Sequence, residues 1–464
     1  MNQQFSRRNF LRSAGFAAAA ISAPGFLAAC GGSSGESARP ASLDPNKSYT
    51  DAEQLAFNGW GFQVDMVQKW VTRFNEQNKE NSAFRVVAGT YPSVMENKYR
   101  NKEKVDLAYV LDTAFPRWAQ ANWIHDFSDF PDLEKAKAAM YPNVRDALTI
   151  DGKMYGLPYF TSIDGTIAVN QQILDKVGIT PKEYPKNYTE LYDQMRAIKK
   201  SGAADTPWLP RWIAESFGIG DAIYNEMLAE GLELVDEEGH PIFDGKTEHV
   251  AVLERAKKAW DDGLVPKSVL TMSETDQIDG FASGRYAMSE QQLYDAIATM
   301  NNPQRSKIAG HASFVPVPEG GHSWGHLQLG AYVVPNHGQS AERLGRAFRL
   351  AGYAGYQDND GTPYVSKQWA LANGLGSGYA SVLEDPEVIA KYKTWLPDFD
   401  TQMPQIKAAM QQAKPFRMSR QIWSTEWNSK ARELFPTVFT GEVTPAKALD
   451  QLREHADKLV DKYK

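Results

Sequence analysis

Apolar residues along the first part of the chain follow the spacings of alternating strands and helices. Residues 55–57 form a short apolar run that predicts a strand, and apolar positions at i, i+3, i+4 and i+7 across 67–74 predict the helix after it. Residues 84–87 and 105–110 predict two further strands. Strand, helix and strand in this order indicate βαβ units around a parallel sheet, whose ligands bind at the carboxyl ends of the strands.

The middle and the end of the chain continue this mixed pattern. Residues 166–170 predict another strand, and Asn187, with Glu190 three residues later, predicts the capped start of a helix. The last third is mainly helical in its apolar spacing and ends in an amphipathic segment over 449–459. The pattern therefore predicts an α/β protein, and a chain of 464 residues is long enough for two or more lobes.

The first 29 residues have the order of a bacterial export signal. Arg7 and Arg8 precede an Ala-rich, mildly apolar stretch over 14–29, and Cys30, the one cysteine of the chain, follows it directly. The paired arginines resemble a twin-arginine export signal, and Leu-Ala-Ala-Cys resembles a lipobox, whose cysteine is acylated. A transmembrane helix is the alternative, but Pro24 interrupts a run that is already too short to span. We expect an extracytoplasmic protein, periplasmic or at the cell surface, with a lipid anchor at Cys30.

Composition and charge narrow the function further. Residues 31–45 are rich in Gly, Ser and Pro, so we expect residues 30–50 to be the lipidated cysteine and a flexible tether. Removal of the three arginines in the signal changes the net charge from −7 to −10, which argues against nucleic-acid binding. A hydrophobic core could absorb many of the aromatic residues, but 12 tryptophans also suit a surface that stacks on flat ligands.

Five segments resemble motifs of the family 1 extracellular solute-binding proteins of ABC importers, the class that includes maltose-binding protein. They occur in the family's order behind the lipobox, and the resemblance runs from about residue 53 to the C-terminus. The segments are DGKMYGLP at 151–158, FASGRYAM at 281–288, VN at 169–170 with the helix after it, ANWIHDF at 121–127 and FTGEVTPAKAL at 439–449.

This resemblance implies an α/β, two-lobe, type II periplasmic-binding-protein fold, with parallel or mixed sheets that are flanked by helices and linked by hinge strands. It also implies a monomeric receptor without cofactor or metal, which encloses a carbohydrate between its lobes and delivers it to an ABC permease. Closure would be a hinge motion. The family's topology assigns 53–160 and 290–348 to lobe one, 164–288 and 350–464 to lobe two, and the hinge strands to 159–163, 288–291 and 349–352.

Sugars bind through two kinds of contact, and these predict the residue types of the cleft. Their C–H faces stack on aromatic rings, and their paired hydroxyl groups bind carboxylates and amides. Core packing explains Trp212 equally well, and capping of the next helix is the alternative for Asp112. The predicted ligand-binding residues are Trp60, Tyr91, Asp112, Asp164, Trp212, Glu215, Gln291, Tyr294, Trp324, Trp369 and Asn373.

Signals of catalysis and of metal binding are weak, so we expect a binding protein and not an enzyme. Residues 31–35 match G-x-S-x-G but lack the strand and helix of a nucleophile elbow. His322 and His326 are four residues apart, but neighbouring glycines argue against a helix that would pair them as metal ligands. Two alternatives stay open. One is a receptor for a non-sugar solute, with Arg117 and Arg211 as nearby cations; the other is a lipid-anchored glycan-degrading enzyme.

Overall fold

The computed structural model describes residues 39–215, 217–317 and 322–463. Arg7, Arg8 and Cys30 lie outside these residues, so the signal and the anchor stay predictions. None of the helices in the described ranges is long and apolar enough to cross a membrane.

The described ranges contain ten strands and eighteen α-helices. The strands are β1 (Leu55–Gly59), β2 (Ser82–Val86), β3 (Leu107–Leu111), β4 (Thr149–Ile150), β5 (Lys153–Met154), β6 (Leu157–Asn170), β7 (Trp208–Leu209), β8 (Met288–Gln292), β9 (Ala312–Phe314) and β10 (His326–Val333). The helices are α1 (Val64–Asn78), α2 (Tyr91–Arg100), α3 (Phe115–Gln120), α4 (Leu133–Ala139), α5 (Pro142–Ala147), α6 (Gln171–Lys176), α7 (Tyr188–Ser201), α8 (Ile219–Leu228), α9 (His249–Asp261), α10 (Glu274–Ala282), α11 (Leu293–Ala298), α12 (Ala341–Gly355), α13 (Tyr364–Asn373), α14 (Ala380–Glu384), α15 (Pro386–Lys393), α16 (Phe399–Gln412), α17 (Ser424–Thr440) and α18 (Pro445–Tyr463).

One mixed sheet runs through the molecule in the order β2-β1-β3-β10-β6-β8-β7, with β9 paired to β6. The pairs of β1 with β2 and with β3 are parallel, as predicted, and so is the pair of β7 with β8. The long strand β6 is buried along all 14 residues. Its first half pairs with β10 and its second half with β8 and β9, so β6 links the two parts of the sheet.

The buried apolar side chains form two separate cores. The first core takes side chains from β1, β3, α1 to α5, the first half of β6, β10 and α12 to α16. The second core takes them from the second half of β6, α6 to α10, α17 and α18. Along β6 the first core ends at Ile163 and the second begins at Ile167, and the chain passes between them again from Ala413 to Phe416. Helices α13 to α16, expected in lobe two, therefore pack in the first core.

The local predictions are confirmed at most elements and wrong at one hinge strand. The predicted early strands are β1 to β3, and the predicted helix is α1, whose apolar stripe is buried. Asn187 caps α7 by accepting a hydrogen bond from the backbone N–H of Glu190 at 2.9 Å. Residues 349–352 are not a strand, because they lie within α12. Ser340 caps that helix, and much of its length is buried.

The part of the predicted tether from residue 39 onward packs on α12. The backbone N–H of Ala41 donates to the carbonyl oxygen of Ala341 at 2.8 Å. Tyr49 is only 2% exposed, and the guanidinium groups of Arg346 and Arg349 each lie 5.2 Å from the centre of its ring. These contacts join the start of the fold to the first core.

Candidate ligand-binding site

The strand β6 changes partners at Asp164, which brings polar side chains to the boundary between the two cores. Asp164 lies opposite His326 of β10 and Gln292 of β8, and the register with β8 shifts just after it. Gly165 has a φ of +100°, which glycine adopts without strain. A Cβ on Gly325 would lie 1.6 Å from the carbonyl oxygen of Asp164, so this close approach requires glycine.

A fully buried guanidinium group, that of Arg211, packs against Asp164. Arg211 Nη1 lies 3.1 Å from Asp164 Oδ1, and Nη2 donates to Glu274 Oε1 at 2.9 Å. In the amide orientation that satisfies both of its polar atoms, Gln292 accepts from Arg211 at 2.8 Å and donates to the Tyr294 hydroxyl at 2.5 Å. Burial opposes the charge of Arg211, but the attraction of Asp164 and Glu274 outweighs it and raises the pKa.

A hydrogen-bonded chain continues from Arg211 into β8 and β10. The backbone N–H of Arg211 donates to Glu290 Oε2 at 3.1 Å, and Asn225 Nδ2 donates to Glu290 Oε1 at 3.0 Å. His326 Nδ1 lies 3.1 Å from Asn225 Oδ1, and burial, with the charge of Arg211, lowers the pKa of His326 to about 3, so its ring is neutral. Burial raises the pKa of Glu290 to about 7. We call the following set the polar junction: Asp112, Asp164, Arg211, Asp221, Asn225, Glu290, Gln292 and His326.

Asp112 and Asp221 reach the polar junction from elements of the first and the second core. Asp112 follows β3, and its Oδ2 has no hydrogen-bond partner among the described residues. Asp221 lies in the first turn of α8 and accepts from Asn428 Nδ2 at 2.8 Å. Burial raises the pKa of Asp112 to about 7, and the charge of Asp164 adds to this shift. Both residues keep partial solvent access.

An aromatic cluster lies at the same edge of the sheet as Asp112, since β1 and β3 are parallel neighbours. Trp60 follows β1, and its ring lies 5.1 Å from Tyr91, 4.7 Å from Tyr109 and 5.7 Å from Tyr159. Trp369 contacts Tyr159 edge-on at 4.9 Å. Trp60 keeps partial solvent access, whereas Trp369 is 1% exposed. The fold therefore brings together three of the predicted aromatic residues, and Trp60 is the one that solvent reaches.

Comparison with known proteins identifies the family. The model of the bacterial extracellular solute-binding proteins matches residues 65–354, more than half of the chain. The chain belongs to this family.

Solved structures of other solute-binding proteins share its fold. Maltose-bound MalE3 of T. maritima is 17% identical with a TM-score of 0.73, and the match covers 88% of this chain and 99% of that one. A ribitol complex from Agrobacterium radiobacter K84 is 15% identical with a TM-score of 0.72, over 89% and 100% of the two chains. The GacH receptor of Streptomyces glaucescens is 18% identical with a TM-score of 0.70, over 89% and 99%. The predicted type II periplasmic-binding-protein fold is confirmed.

In this solute-binding protein, two of the predicted tryptophans lie in the second core. Trp212 is fully buried and stacks on Phe439, with ring centres 4.3 Å apart. Trp324 is 3% exposed, and its Nε1 donates to a backbone carbonyl oxygen at 3.1 Å. Core packing accounts for both rings, so their contact with a ligand stays a prediction. Glu215 and Asn373 are half-buried, in the loop after β7 and at the end of α13.

Two predicted ligand-binding residues lie at strand β8: Gln291 within it and Tyr294 just after it. Gln291 lies on the face opposite to Glu290 and Gln292, because successive side chains alternate, and its amide donates to Ser289 Oγ at 2.7 Å. Tyr294 joins the polar junction through its contact with Gln292. The strand therefore sets Gln292, rather than Gln291, beside Arg211.

Sequence reasoning missed several members of the polar junction. Glu290 is an ionisable residue that is only 1% exposed, in a strand, MSEQQ, that has polar residues at four of five positions. Asn225 is fully buried in helix α8, next to the buried Glu226. A run of polar residues where the elements on both sides are apolar was the available signal. Such residues are rarely buried without a partner, so the run indicates a polar site inside the fold.

Histidine and carboxylate groups outside the polar junction offer little for a metal ion. Among the described residues, Asp236, Glu238 and His240 have ligand atoms within 4.8 Å of one another, on a turn at the surface. The sequence pair of His322 and His326 does not form a metal site, because the His326 ring stacks on Phe416 at 3.6 Å and contacts the polar junction.

The polar junction can bind hydroxyl groups of a solute. Ser162 Oγ, on the Asp164 face of β6, is buried and has no hydrogen-bond partner among the described residues, as is the case for Asp112 Oδ2. A buried polar atom without a partner costs about 1–3 kcal/mol, so a solute that completes these hydrogen bonds gains affinity.

Proposed function

We propose that this protein is the extracytoplasmic solute-binding component of an ABC importer and captures a carbohydrate, either a monosaccharide or an oligosaccharide. The observation that carries the proposal is a polar junction with an unpartnered carboxylate oxygen on Asp112 and an unpartnered hydroxyl on Ser162, together with the partly accessible ring of Trp60 at the same sheet edge as Asp112, in a member of a solute-binding family. Sugars need both features, and proteins of the same fold are described with maltose, ribitol and acarbose.

The predicted site follows from this proposal. Trp60 would stack on a sugar face, and Asp112 and Asp164 would accept hydrogen bonds from its hydroxyl groups, with Tyr294 at the margin. Arg211 is paired with two carboxylates, which disfavours the alternative of an anionic solute. The family is one of receptors, so we propose no catalytic role; release of reducing sugar from polysaccharides by the purified protein would contradict this.

We propose that the two lobes follow the two hydrophobic cores and close on the solute. The boundary near residue 350 then moves to 413–416, because α13 to α16 pack in the first core. Strand β6, the stretch 288–293, where the chain passes from the second core to the first, and the connection at 413–416 are the proposed hinges. Small-angle scattering should show a smaller radius of gyration with solute than without it, and an unchanged radius at saturation would contradict closure.

A thermal-shift screen over a library of neutral and charged sugars tests the binding function directly. A ligand at 100 times its Kd adds about 2.7 kcal/mol to the free energy of unfolding, which produces a clear rise in Tm. Titration calorimetry on each hit then gives the Kd. If no sugar raises Tm while amino acids or peptides do, the carbohydrate proposal is wrong.

We also propose that Cys30 anchors the mature protein to the membrane and that Arg7 and Arg8 direct its export. The support is the position of the single cysteine after Leu-Ala-Ala and the order of the signal. Cys30→Ser should remove the lipid mass and move the protein to the soluble extracytoplasmic fraction. Replacement of both arginines by lysine should block export; normal export would contradict the twin-arginine route.

A further inference from the structure

Carboxyl groups outnumber the cation at the polar junction. Asp112 follows β3, Asp164 lies in β6 and Asp221 in α8, and Glu274 is at the start of α10. Arg211 pairs with Asp164 at 3.1 Å and with Glu274 at 2.9 Å. The single positive charge of Arg211 is therefore already shared by two carboxylates, those of Asp164 and Glu274. Asp112 and Asp221 form no ion pair with it.

Asp112 and Asp221 have no charged hydrogen-bond donor among the described residues. Asp221 accepts from the amide of Asn428, and Asp112 Oδ2 has no partner among the described residues. Helix α17 brings the two carboxyl groups near each other. Ser424 Oγ donates to the carbonyl oxygen of Thr113, the residue after Asp112, at 3.2 Å, and Asn428, one turn later, donates to Asp221 at 2.8 Å. Burial raises the pKa of Asp221 well above its usual value, and the charges of Asp164 and Asp112 add to this shift. A positive charge between Asp112 and Asp221 would relieve both the repulsion and the desolvation.

Ser162 gives an independent sign that a ligand completes this site. Its side chain is on the same face of β6 as Asp164, two residues away, and lies opposite Gln328 in the register with β10. The residue is 1% exposed, and its hydroxyl group has no hydrogen-bond partner among the described residues. A hydroxyl buried on a polar face without a partner requires a further group, and a hydroxylated solute supplies one.

The other arginine that the sequence suggested for an anionic ligand is engaged elsewhere. Arg117 lies 3.4 Å from Glu96 and 3.7 Å from Glu426. An anionic solute would thus meet carboxyl groups without a free guanidinium to balance its charge. A cationic solute would instead meet carboxyl groups, whose negative charge complements its own.

We propose that the solute carries a protonated amine among its hydroxyl groups, as an amino sugar does, and that Asp112 and Asp221 bind the amine. Asp112 approaches it from the first core and Asp221 from the second, so the amine also links the parts that close. Ser162 binds a neighbouring hydroxyl group. This inference rests on the proposed function, and narrows it from carbohydrates to those with a basic group.

Matched sugars that differ only in charge test the inference. We would measure Kd by titration calorimetry for glucose, glucosamine and glucuronate, for the corresponding galactose set, and for mono- and disaccharide hits with their amino forms. We expect the amine form to bind at least tenfold tighter than its neutral match and the carboxylate form to bind weakest. In Asp221→Asn this amine preference should fall to about threefold or less, and the surface variant Asp205→Asn should retain it.

The outcomes separate this inference from the proposed function. If neutral sugars bind as tightly as their amine forms, the amine inference is wrong and the carbohydrate receptor stands. Tighter binding of the carboxylate form, or a full amine preference in Asp221→Asn, overturns the inference in the same way. If no sugar binds in any charge form, both proposals are wrong.

Discussion

The two hydrophobic cores and the polar junction between them are both buried, yet they are built on opposite principles. In the second core Trp212 stacks on Phe439 with apolar neighbours, and the gain comes from area removed from water. At the junction Asp164 and Arg211 are as deeply buried, but the charges lose hydration and atoms nearby stay unpaired. The difference teaches that burial alone does not define a core. The junction is incomplete in a way that a ligand can complete.

The largest effect should come from the core side of this comparison. Trp212→Ala removes a fully buried ring and should lower the free energy of unfolding by about 4 kcal/mol, through lost transfer energy and a cavity. Urea unfolding measures this loss, and Trp60→Ala is the comparison, with a smaller expected loss because the Trp60 ring keeps partial solvent access. A stable Trp212→Ala protein with weakened solute binding would instead move Trp212 into the binding site.

At the junction, removal of the cation should cost nearly as much. Arg211→Met leaves Asp164 and Glu274 without their counter-charge and should destabilise the protein by about 3 kcal/mol at pH 8. Asp164→Asn in the same chain should recover part of this loss, because it removes the uncompensated charge. If the double variant is less stable than Arg211→Met, the ion pair is not the source of the cost.

Trp60 should show the reverse of Trp212, with a loss of affinity that is large compared with its loss of stability. Its half-exposed ring at the end of β1 is available for stacking, so Trp60→Ala should weaken solute binding by about 2 kcal/mol, roughly 30-fold. Trp60→Phe should restore part of the affinity, because it keeps an aromatic face. Equal affinity in wild type and Trp60→Ala would remove this ring from the site.

The smallest effect concerns the pH dependence of the ligand-free protein. The pKa of Asp112 is about 7 in the fold against about 4 when unfolded, so the folded state holds the proton more tightly. The stability that this proton contributes is present below pH 4 and is lost as pH rises through 7. Asp112→Asn should therefore equal wild type at pH 4 and exceed its free energy of unfolding at pH 8. The full three-unit shift corresponds to about 4 kcal/mol, and solvent screening of this partly exposed carboxyl reduces the expected gain to about 1–2 kcal/mol.

Denaturation of both proteins across this pH range measures the difference. Asp205→Asn, at an exposed loop position, is the control and should follow wild type at every pH. A constant difference between Asp112→Asn and wild type from pH 4 to 8 would mean that Asp112 does not titrate in this window.

Much of the fold was predictable because it depends on local patterns. The apolar period of α1 and the Asn187 cap of α7 are encoded within a few residues, and both are confirmed. The strand predicted at 349–352 failed because it was transferred from the family's topology, whereas the sequence there forms the capped helix α12. The predictions made from local sequence patterns were therefore right where the hinge strand transferred from the family was wrong.

The candidate site was predictable only in part, because it depends on which segments meet. Trp60 and Asp112 follow neighbouring strands, so their common edge could be inferred from the βαβ order. Trp212 carries the same residue type but packs on Phe439, more than 200 positions away, and nothing in its own segment indicates that partner. Glu290 was missed because its strand was considered for its glutamines alone.

Titration calorimetry of Asp112→Asn with the tightest sugar from the screen tests the central claim, that the solute binds at the polar junction. The substitution keeps the shape of the side chain but weakens charge-assisted hydrogen bonds to the ligand. We predict at least a tenfold rise in Kd, with the Kd of Asp205→Asn unchanged. A wild-type Kd in Asp112→Asn would contradict the account and place the solute elsewhere in the protein.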